Sequence, residues 1–290
     1  MISALLVKEL REKSGAGMMD AKKELLETGG DIEAAQDWLR TKGLLKAEKK
    51  SSRIAADGLI GVRVNDNMGT IVELNSETDF VATNKEFIKL VDLVLAEGFG
   101  LTDRGDILKK NVAGKTFQEI INNKIATIGE NINLRRAVSI KGPNIYAYVH
   151  NSVSKDCGKI GVLVSLDGSK NEDFGKKLAM HIAATSPLAI SEKDLDISLI
   201  DREKKIISEQ LSAEGKPAEI AEKILSGKLK KFFEENTLLN QKFVMDPESS
   251  ISKVLENNNQ VLVDFVRFKV GEGIDKKESD FAAEVKDIVS

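Results

Sequence analysis

The sequence predicts an α+β protein: an N-terminal three-helix bundle, a two-part core of antiparallel sheets with helices, an inserted helical hairpin and a C-terminal helical module. Three observations support this fold class. The chain has 290 residues, about two domains at roughly 150 residues each. Apolar residues follow helical spacing at the start and alternate from Gly58 onwards. A glycine-led strand pattern at Gly69 recurs at Gly158, a shift of 89 residues, which indicates two similar core halves.

Residues 1–52 are predicted to form the bundle and a linker. Ser3 can cap a first helix that stops near Gly15, and Asp31 can cap a third helix after a second one. Three helices in so short a stretch make a compact bundle with a small core. The charged run at 45–53 indicates a hydrated linker rather than a phosphate site.

The core is predicted in two halves, residues 53–142 and residues 143–190 with 227–268. In the first half, alternating strands flank a turn before Gly69, two amphipathic helices follow, and a strand closes the unit. The second half repeats the hairpin, the helix and the closing strand. Antiparallel sheets with helices on one face are the expected α+β arrangement.

The second half is interrupted by residues 191–226, which predict an antiparallel two-helix arm. The turn Glu214–Pro217 places glycine after one helix and proline at the start of the next. Residues 269–290 are predicted to be a C-terminal module, with a final amphipathic helix between Phe281 and Ile288.

Composition and charge exclude several classes of protein. The chain has 43 Lys and Arg against 46 Asp and Glu, a formal net charge of -3, with 41% hydrophobic and 31% charged residues. This balance is typical of a folded chain and provides no basic excess for direct nucleic-acid binding. The first residues lack a signal-peptide pattern, and no apolar run reaches the roughly 18 residues of a membrane span. We expect a cytoplasmic protein without a membrane partner.

Few residues are suited to bond chemistry. The single cysteine, Cys157, cannot form an internal disulfide or a thiolate metal cage. His150 and His181 lie on different predicted elements, and His181 is most simply a hydrogen-bonded core residue. No phosphate-binding glycine motif occurs. The sequence therefore predicts no metal, no cofactor and no catalytic residue, so we do not expect an enzyme.

Two short segments are either partner surfaces or core. In Thr78–Val81, the residues alone favour Asp79 as a helix cap with Phe80 packed inward, yet an exposed aromatic beside a carboxylate has the composition of an interface hot spot. Met18 and Met19 open the second helix, either as exposed contacts or as core side chains, and the sequence favours neither.

Long motifs follow one another through nearly the whole chain. They are LVKELREKSGAGMMDAKKEL at 6–25, Gly30–Asp31, TDFVATN at 78–84, the stretch at 124–136 that ends IGENINLRR, AMHIAATSP at 179–187, GKPAEIAEKILSGKLKKF at 215–232, FVMDP at 243–247 and VRFKVGEGI at 266–274. Together, in this order, they resemble the bacterial elongation factor Ts family.

The resemblance implies a guanine-nucleotide exchange factor for the translational GTPase elongation factor Tu. It also implies that the bundle is ubiquitin-associated-like and that the arm is a coiled coil. The segment Thr78, Asp79, Phe80 and Val81 matches the family's Mg²⁺-dislocation loop, in which the Asp-Phe pair wedges into the GTPase near its Mg²⁺ site. The resemblance thus reverses the inward placement that the residues alone favour for Phe80.

Further contacts with the GTPase are implied for residues at both ends of the chain and in the second core half. The segment after His150 is longer than in the family pattern, which weakens the match there. The C-terminal helix is implied to contact the GTPase as well. The other matching residues are Lys8, Arg11, Met18, Met19 and His150.

The alternative from another class is a protein- or RNA-binding scaffold without exchange activity. The aromatic content of 5% and the lack of an aromatic RNA-binding motif argue against single-stranded RNA. The sequence leaves open a one-to-one complex, a two-to-two complex and a homodimer.

Overall fold

The computed structural model describes residues 2–65, 67–214 and 217–275, and its mixture of helices and antiparallel strands confirms the α+β class. Within these stretches, every helix is too short or too polar to cross a membrane. The helix predicted around Phe281 and most of the predicted C-terminal module lie outside the described residues, as does the glycine of the turn between the arm helices.

An N-terminal module of three helices packs around a small core that includes the fully buried Leu10 and Leu25. The predicted caps are present, because the Ser3 hydroxyl and the Asp31 carboxylate each accept a backbone N–H of the helix that follows. The first helix ends at Gly15, whose φ of 70° few other residues adopt without strain. The helices are α1 (Ala4–Ser14), α2 (Met18–Glu27) and α3 (Ile32–Lys50).

Most of the segment 45–53, interpreted as a hydrated linker, is instead the last part of α3, which continues to Lys50. Residues 45–50 are good helix formers, so nothing in them stops the helix. Lys46 pairs with Asp20 of α2, the Lys50 ammonium donates to a backbone carbonyl of the core, and Ala47 is buried against the core. α3 therefore both completes the N-terminal module and packs it against the core.

The first half of the core is a three-stranded antiparallel sheet with helices on one face. Its central strand pairs along its length with a strand on each side. Phe87, Leu90, Val91 and Val94 are buried as the helical spacing predicts. The elements are β1 (Asp57–Asn65), β2 (Met68–Ser76), α4 (Asp79–Ala82), α5 (Lys85–Glu97), α6 (Arg104–Lys109), β3 (Asn111–Val112), β4 (Lys115–Thr116), α7 (Phe117–Ile128) and β5 (Asn133–Lys141).

The second half repeats this plan and confirms the duplication. Its central strand pairs with a strand on each side, and a small hairpin again precedes the last helix. The elements are β6 (Asn144–Ser152), β7 (Cys157–Gly168), α8 (Glu172–Thr185), α9 (Ile197–Ala213), α10 (Ala218–Asn236), β8 (Lys242–Phe243), β9 (Asp246–Ser250), α11 (Ile251–Asn257) and β10 (Gln260–Lys269), with short 3₁₀ turns at Glu192–Asp194 and Leu238–Asn240.

A short ladder joins the two halves into one six-stranded sheet, since Ile60 and Gly61 of β1 pair with the start of β7. Alternate side chains of the strands point to opposite faces. One face of each half packs under its own helices, and the other faces share a third apolar cluster that includes Ile71 and Leu163. The core is therefore continuous across both halves.

The inserted arm consists of α9 and α10, which contact each other. Ile207 and Leu211 of α9 are buried, whereas every described residue of α10 remains at least partly exposed. The second helix continues to Asn236, past the boundary expected at residue 226, because the residues after Gly227 favour helix. Backbone hydrogen bonds between 188–190 and 236–239 close the base of the arm.

Candidate partner-binding surface

The segment Thr78–Val81 lies between the end of β2 and the start of α5. It forms the beginning of α4, a helix of only four residues with Thr78 at its N-cap position. Val81 and Ala82 are buried in the core cluster of the first half. One turn of helix thus connects a buried strand to a buried helix at the edge of the core.

Phe80 points away from that core. Its side chain is 83% exposed, although Val81 next to it is buried. Packing as a core staple, which the residues alone favour, is therefore wrong. The exposed aromatic is the arrangement implied by the family resemblance.

Asp79 is exposed beside Phe80 and does not cap α5. That helix is capped by Asn84, whose side-chain oxygen accepts the backbone N–H of Glu86 at 2.8 Å. The cap interpretation of Asp79 is also wrong, because a separate turn of helix intervenes before α5. An exposed carboxylate and an exposed aromatic ring consequently project together from α4.

One carboxylate holds the start of this segment. Glu130, in the connection between α7 and β5, accepts the backbone N–H groups of Glu77 at 3.1 Å and Thr78 at 3.0 Å through Oε2. Its Oε1 accepts the Thr78 hydroxyl at 2.6 Å. We call these three hydrogen bonds the Glu130 clamp.

A second set of contacts reinforces the same junction in the opposite direction. Glu77 Oε1 accepts the backbone N–H of Asn131 at 2.6 Å, and Arg53 lies 3.6 Å from the Glu77 carboxylate. The Asn131 amide donates to the carbonyl oxygens of Ser51 and Arg53. The end of β2, the α7–β5 connection and the chain after α3 are therefore joined at one point.

A cleft of about 740 Å³ separates Phe80 from the N-terminal module. Its walls include Lys13 and Gly15 at the end of α1, and Ile120 of α7. The ammonium groups of Lys124 and Lys89, which hydrogen-bond to Glu86 beside this cleft, lower the pKa of that carboxyl to about 2. Phe80 and the loop that precedes Met18 thus face one depression. The other lining residues are Ser14, Val81, Asn84, Lys115, Asn123, Thr127 and Ile128.

The predicted N-terminal contacts are all exposed. The side chains of Met18 and Met19 are 61% and 77% exposed, so the core alternative is wrong for both. Lys8 and Arg11 are exposed on α1, and Lys8 lies 3.9 Å from Glu12. These residues belong to the module that forms one wall of the cleft.

His150 lies at a different place. It is exposed on β6, accepts or donates a hydrogen bond with the Tyr148 hydroxyl at 3.1 Å through Nδ1, and lines a separate depression that also includes Met245. It pairs in register with Ile160, and the extra length after it is accommodated by Asn151, with a φ of 50°, and by the turn beyond. The structure therefore does not place His150 in the Phe80 cleft.

His181 is buried, as the sequence analysis predicts. Its Nδ1 accepts the Val244 backbone N–H at 3.3 Å, and its Nε2 lies 3.0 Å from the side-chain oxygen of Gln241. Burial lowers the pKa of this imidazole, and the hydrogen bond to Gln241 opposes that shift only in part. The neutral ring supports the hairpin that exposes Val244 and Met245.

The described residues contain no group of three or more His, Cys, Asp and Glu side chains that could hold a metal ion. Cys157 is buried, and burial raises the pKa of its thiol to about 12, so it is no nucleophile at neutral pH. The features that the described residues bring together at this place are α4, the cleft and the N-terminal module.

Sequence reasoning missed Glu130 as part of this surface. Its partner Thr78 lies 52 residues earlier in the chain, and a glutamate after a helix-ending glycine carries no local signal of such a contact. The one signal in the sequence was that Glu130 falls within the family motif at 124–136.

The sequence of this chain is similar to those of known proteins along nearly its whole length. The family model described as Elongation factor TS matches residues 77–272. Elongation factor Ts of Paracoccus denitrificans is 51% identical over 287 residues, covering 98% of this chain and 97% of that protein. The corresponding proteins of Dinoroseobacter shibae and of a Ruegeria species are 50% and 48% identical, with the same coverage. The chain belongs to the elongation factor Ts family.

Proposed function

We propose that this chain is a guanine-nucleotide exchange factor in translation elongation that uses Asp79 and Phe80 to disturb the Mg²⁺ and phosphate site of elongation factor Tu. The observation that carries the proposal is the exposed Phe80 on an ordered turn of helix. An aromatic side chain held in water gains its apolar contact only when a partner covers it. Thr78 and Val81 anchor the turn on either side.

The mechanism is thermodynamic linkage and involves no covalent step. GDP is held in a GTPase by phosphate contacts and Mg²⁺. A partner that binds the rearranged, Mg²⁺-free site more tightly must weaken GDP binding by the same factor by which GDP weakens the partner. GDP then leaves faster, and incoming GTP displaces the factor. The chain accelerates exchange without being an enzyme.

The other contacts hold the GTPase from separate directions. Lys8, Arg11, Met18 and Met19 bind the nucleotide-binding domain, supported by their exposure on the N-terminal module, which forms one wall of the cleft. His150 contacts the GTPase from the second core half. Several separated contacts add affinity without requiring one large apolar patch.

The finer architecture belongs to the same proposal. The N-terminal module, residues 1–52, is ubiquitin-associated-like, and α9 with α10 is a coiled-coil arm on a core divided at residue 142. The C-terminal module from residue 269 is a further contact. The factor acts in the cytoplasm, without direct contact to nucleic acid, as a one-to-one or two-to-two complex.

Release of labelled GDP from elongation factor Tu tests the proposal. Micromolar amounts of this chain should accelerate release, and the acceleration should survive moderate salt because the contact at Phe80 is apolar. GDP release at the same rate with and without the chain would reject the exchange role. Binding without acceleration would support the scaffold alternative.

A further inference from the structure

The Glu130 clamp attaches to α4 at the point where this helix is weakest. Four residues are far too few for a helix to be stable alone. Thr78 occupies the N-cap position, yet its side chain makes no cap hydrogen bond within α4. Its hydroxyl instead donates to Glu130. The helix therefore depends on contacts from outside.

Contacts from outside hold it on both sides. Toward its C-terminal end, Val81 and Ala82 are buried in the core. Toward its N-terminal side, Glu130 accepts two backbone N–H groups and one hydroxyl. Hydrogen bonds to an ionised acceptor are stronger than those between neutral groups. Phe80 lies between these two fixed points, and its ring is exposed while its neighbours are buried in the core.

We propose that Glu130 is a positioning residue that pre-orders α4 so that Phe80 reaches the GTPase already in its binding orientation. This inference rests on the proposed role of Phe80. Without the clamp, the amide groups of Glu77 and Thr78 lose their partners, and the turn samples other conformations. The turn then has to become ordered during binding. The entropy cost of this step weakens the affinity for the GTPase without removing any contact with it.

The first experiment compares GDP release from elongation factor Tu across a range of factor concentrations. Glu130→Ala should raise the concentration for half-maximal release about tenfold while the maximal rate is retained. Glu130→Gln should restore most of the loss, because its amide oxygen still accepts backbone N–H groups. Asp103→Ala is the matched control, since Asp103 also accepts a backbone N–H, at 3.0 Å from Asp106, in the same core half.

A double-mutant cycle separates positioning from a general loss of stability. If Glu130 acts by ordering α4, Glu130→Ala combined with Phe80→Ala should lose clearly less than the sum of the two single losses. Losses that add in full would overturn the inference. A Glu130→Ala protein with normal release beside an impaired Phe80→Ala protein would overturn it too, and would leave the role of Phe80 intact.

Amide hydrogen exchange of the free factor gives a readout that is independent of the GTPase. The amides of residues 77–83 should exchange faster in Glu130→Ala and unchanged in Asp103→Ala. Normal GDP release by Phe80→Ala would reject the proposed function of that ring, and the amide exchange would still decide whether Glu130 orders the turn. Unchanged protection in Glu130→Ala would overturn the positioning role.

Discussion

At the scale of single residues, two neighbouring apolar side chains lie in opposite environments. Val81 is buried, whereas Phe80 is 83% exposed. Burying a side chain of this size contributes about 1.5–3 kcal/mol, and at Phe80 this gain is absent from folding. The free energy of burying this ring is available to a complex instead, so the effects of Phe80 on binding and on folding stability can be measured separately.

Phe80→Ala should reduce exchange and leave stability nearly unchanged. Loss of a hot spot of roughly 2 kcal/mol corresponds to a fall of one to two decades in GDP release at subsaturating factor. The free energy of unfolding should change by less than about 0.5 kcal/mol, because the ring is a surface group. Release assays and thermal unfolding on the same protein check both. A loss of about 3–5 kcal/mol would instead indicate a core cavity, in conflict with the observed exposure.

His181 gives the stability a pH dependence of known sign. Its pKa is lowered by burial, whereas the unfolded chain binds the proton near pH 6.5. Between these two values the unfolded state binds more protons, so the free energy of unfolding falls as the pH falls below about 6.5. A proton on Nδ1 of His181 would also break the hydrogen bond that this nitrogen accepts from the Val244 backbone N–H. Urea unfolding from pH 7.5 to 5.5 should show this loss, and His181→Gln should reduce the slope of the free energy of unfolding against pH.

At the scale of elements, local signals predicted what local forces decide. The caps at Ser3 and Asp31, the strand alternation and the helix spacing around Leu90 each depend on residues within a few positions, and each agrees with the structure. The end of α3 was missed, because a charged run is equally typical of a linker and of a helix surface. The burial of Ala47 against the core shows that the run is helical. This contact is tertiary, so the local sequence does not reveal it.

The contact of α3 with α7 can be tested at one glycine. A Cβ on Gly43 would lie 3.5 Å from the Ala126 Cβ, which is ordinary contact. Gly43→Ala should therefore stabilise the protein by roughly 0.5–1 kcal/mol as helix propensity increases. Gly43→Leu should overpack the interface and destabilise by about 1–3 kcal/mol.

The same pair of variants reports on function. Gly43→Leu should weaken binding to the GTPase, because it shifts Met18 and Met19 relative to Phe80, whereas Gly43→Ala should bind normally. Isothermal titration with nucleotide-free GTPase measures both. Equal affinities for the two variants would show that the position of the N-terminal module does not matter.

At the scale of the whole molecule, the repeat was visible in sequence but the joining of the halves was not. A shift of 89 residues relates Gly69 to Gly158, and β2 and β7 do occupy equivalent central positions. The short ladder from Ile60 to Gly158 could not be foreseen, since strand alternation does not specify which edges meet. The residues alone favour an inward Phe80, and only the family resemblance implies its exposure, because a short turn with two adjacent apolar residues does not specify which of them faces the core.

The arm should be separable from exchange. It leaves the core at a base closed by backbone hydrogen bonds between 188–190 and 236–239, and the Phe80 cleft lies in the other core half. Replacing residues 192–235 with a short glycine-serine link should change exchange on isolated GTPase by less than about 0.5 kcal/mol, as expected of independent sites. A folded variant without exchange would show that the arm makes a primary contact.

The internal repeat also explains how one molecule can both preserve and vary the same unit. In the second copy the strand-to-helix connection, Ser169–Asn171, contains no aromatic residue, and it is this copy that carries the 40-residue arm region from α9 to α10. A chain with two copies of the same folding unit can acquire an insertion in one copy while the other copy keeps its binding surface. We therefore expect Ser169 and Lys170 to tolerate substitution in evolution, whereas Asn171, whose side chain caps α8, and the counterpart connection at 77–84 do not.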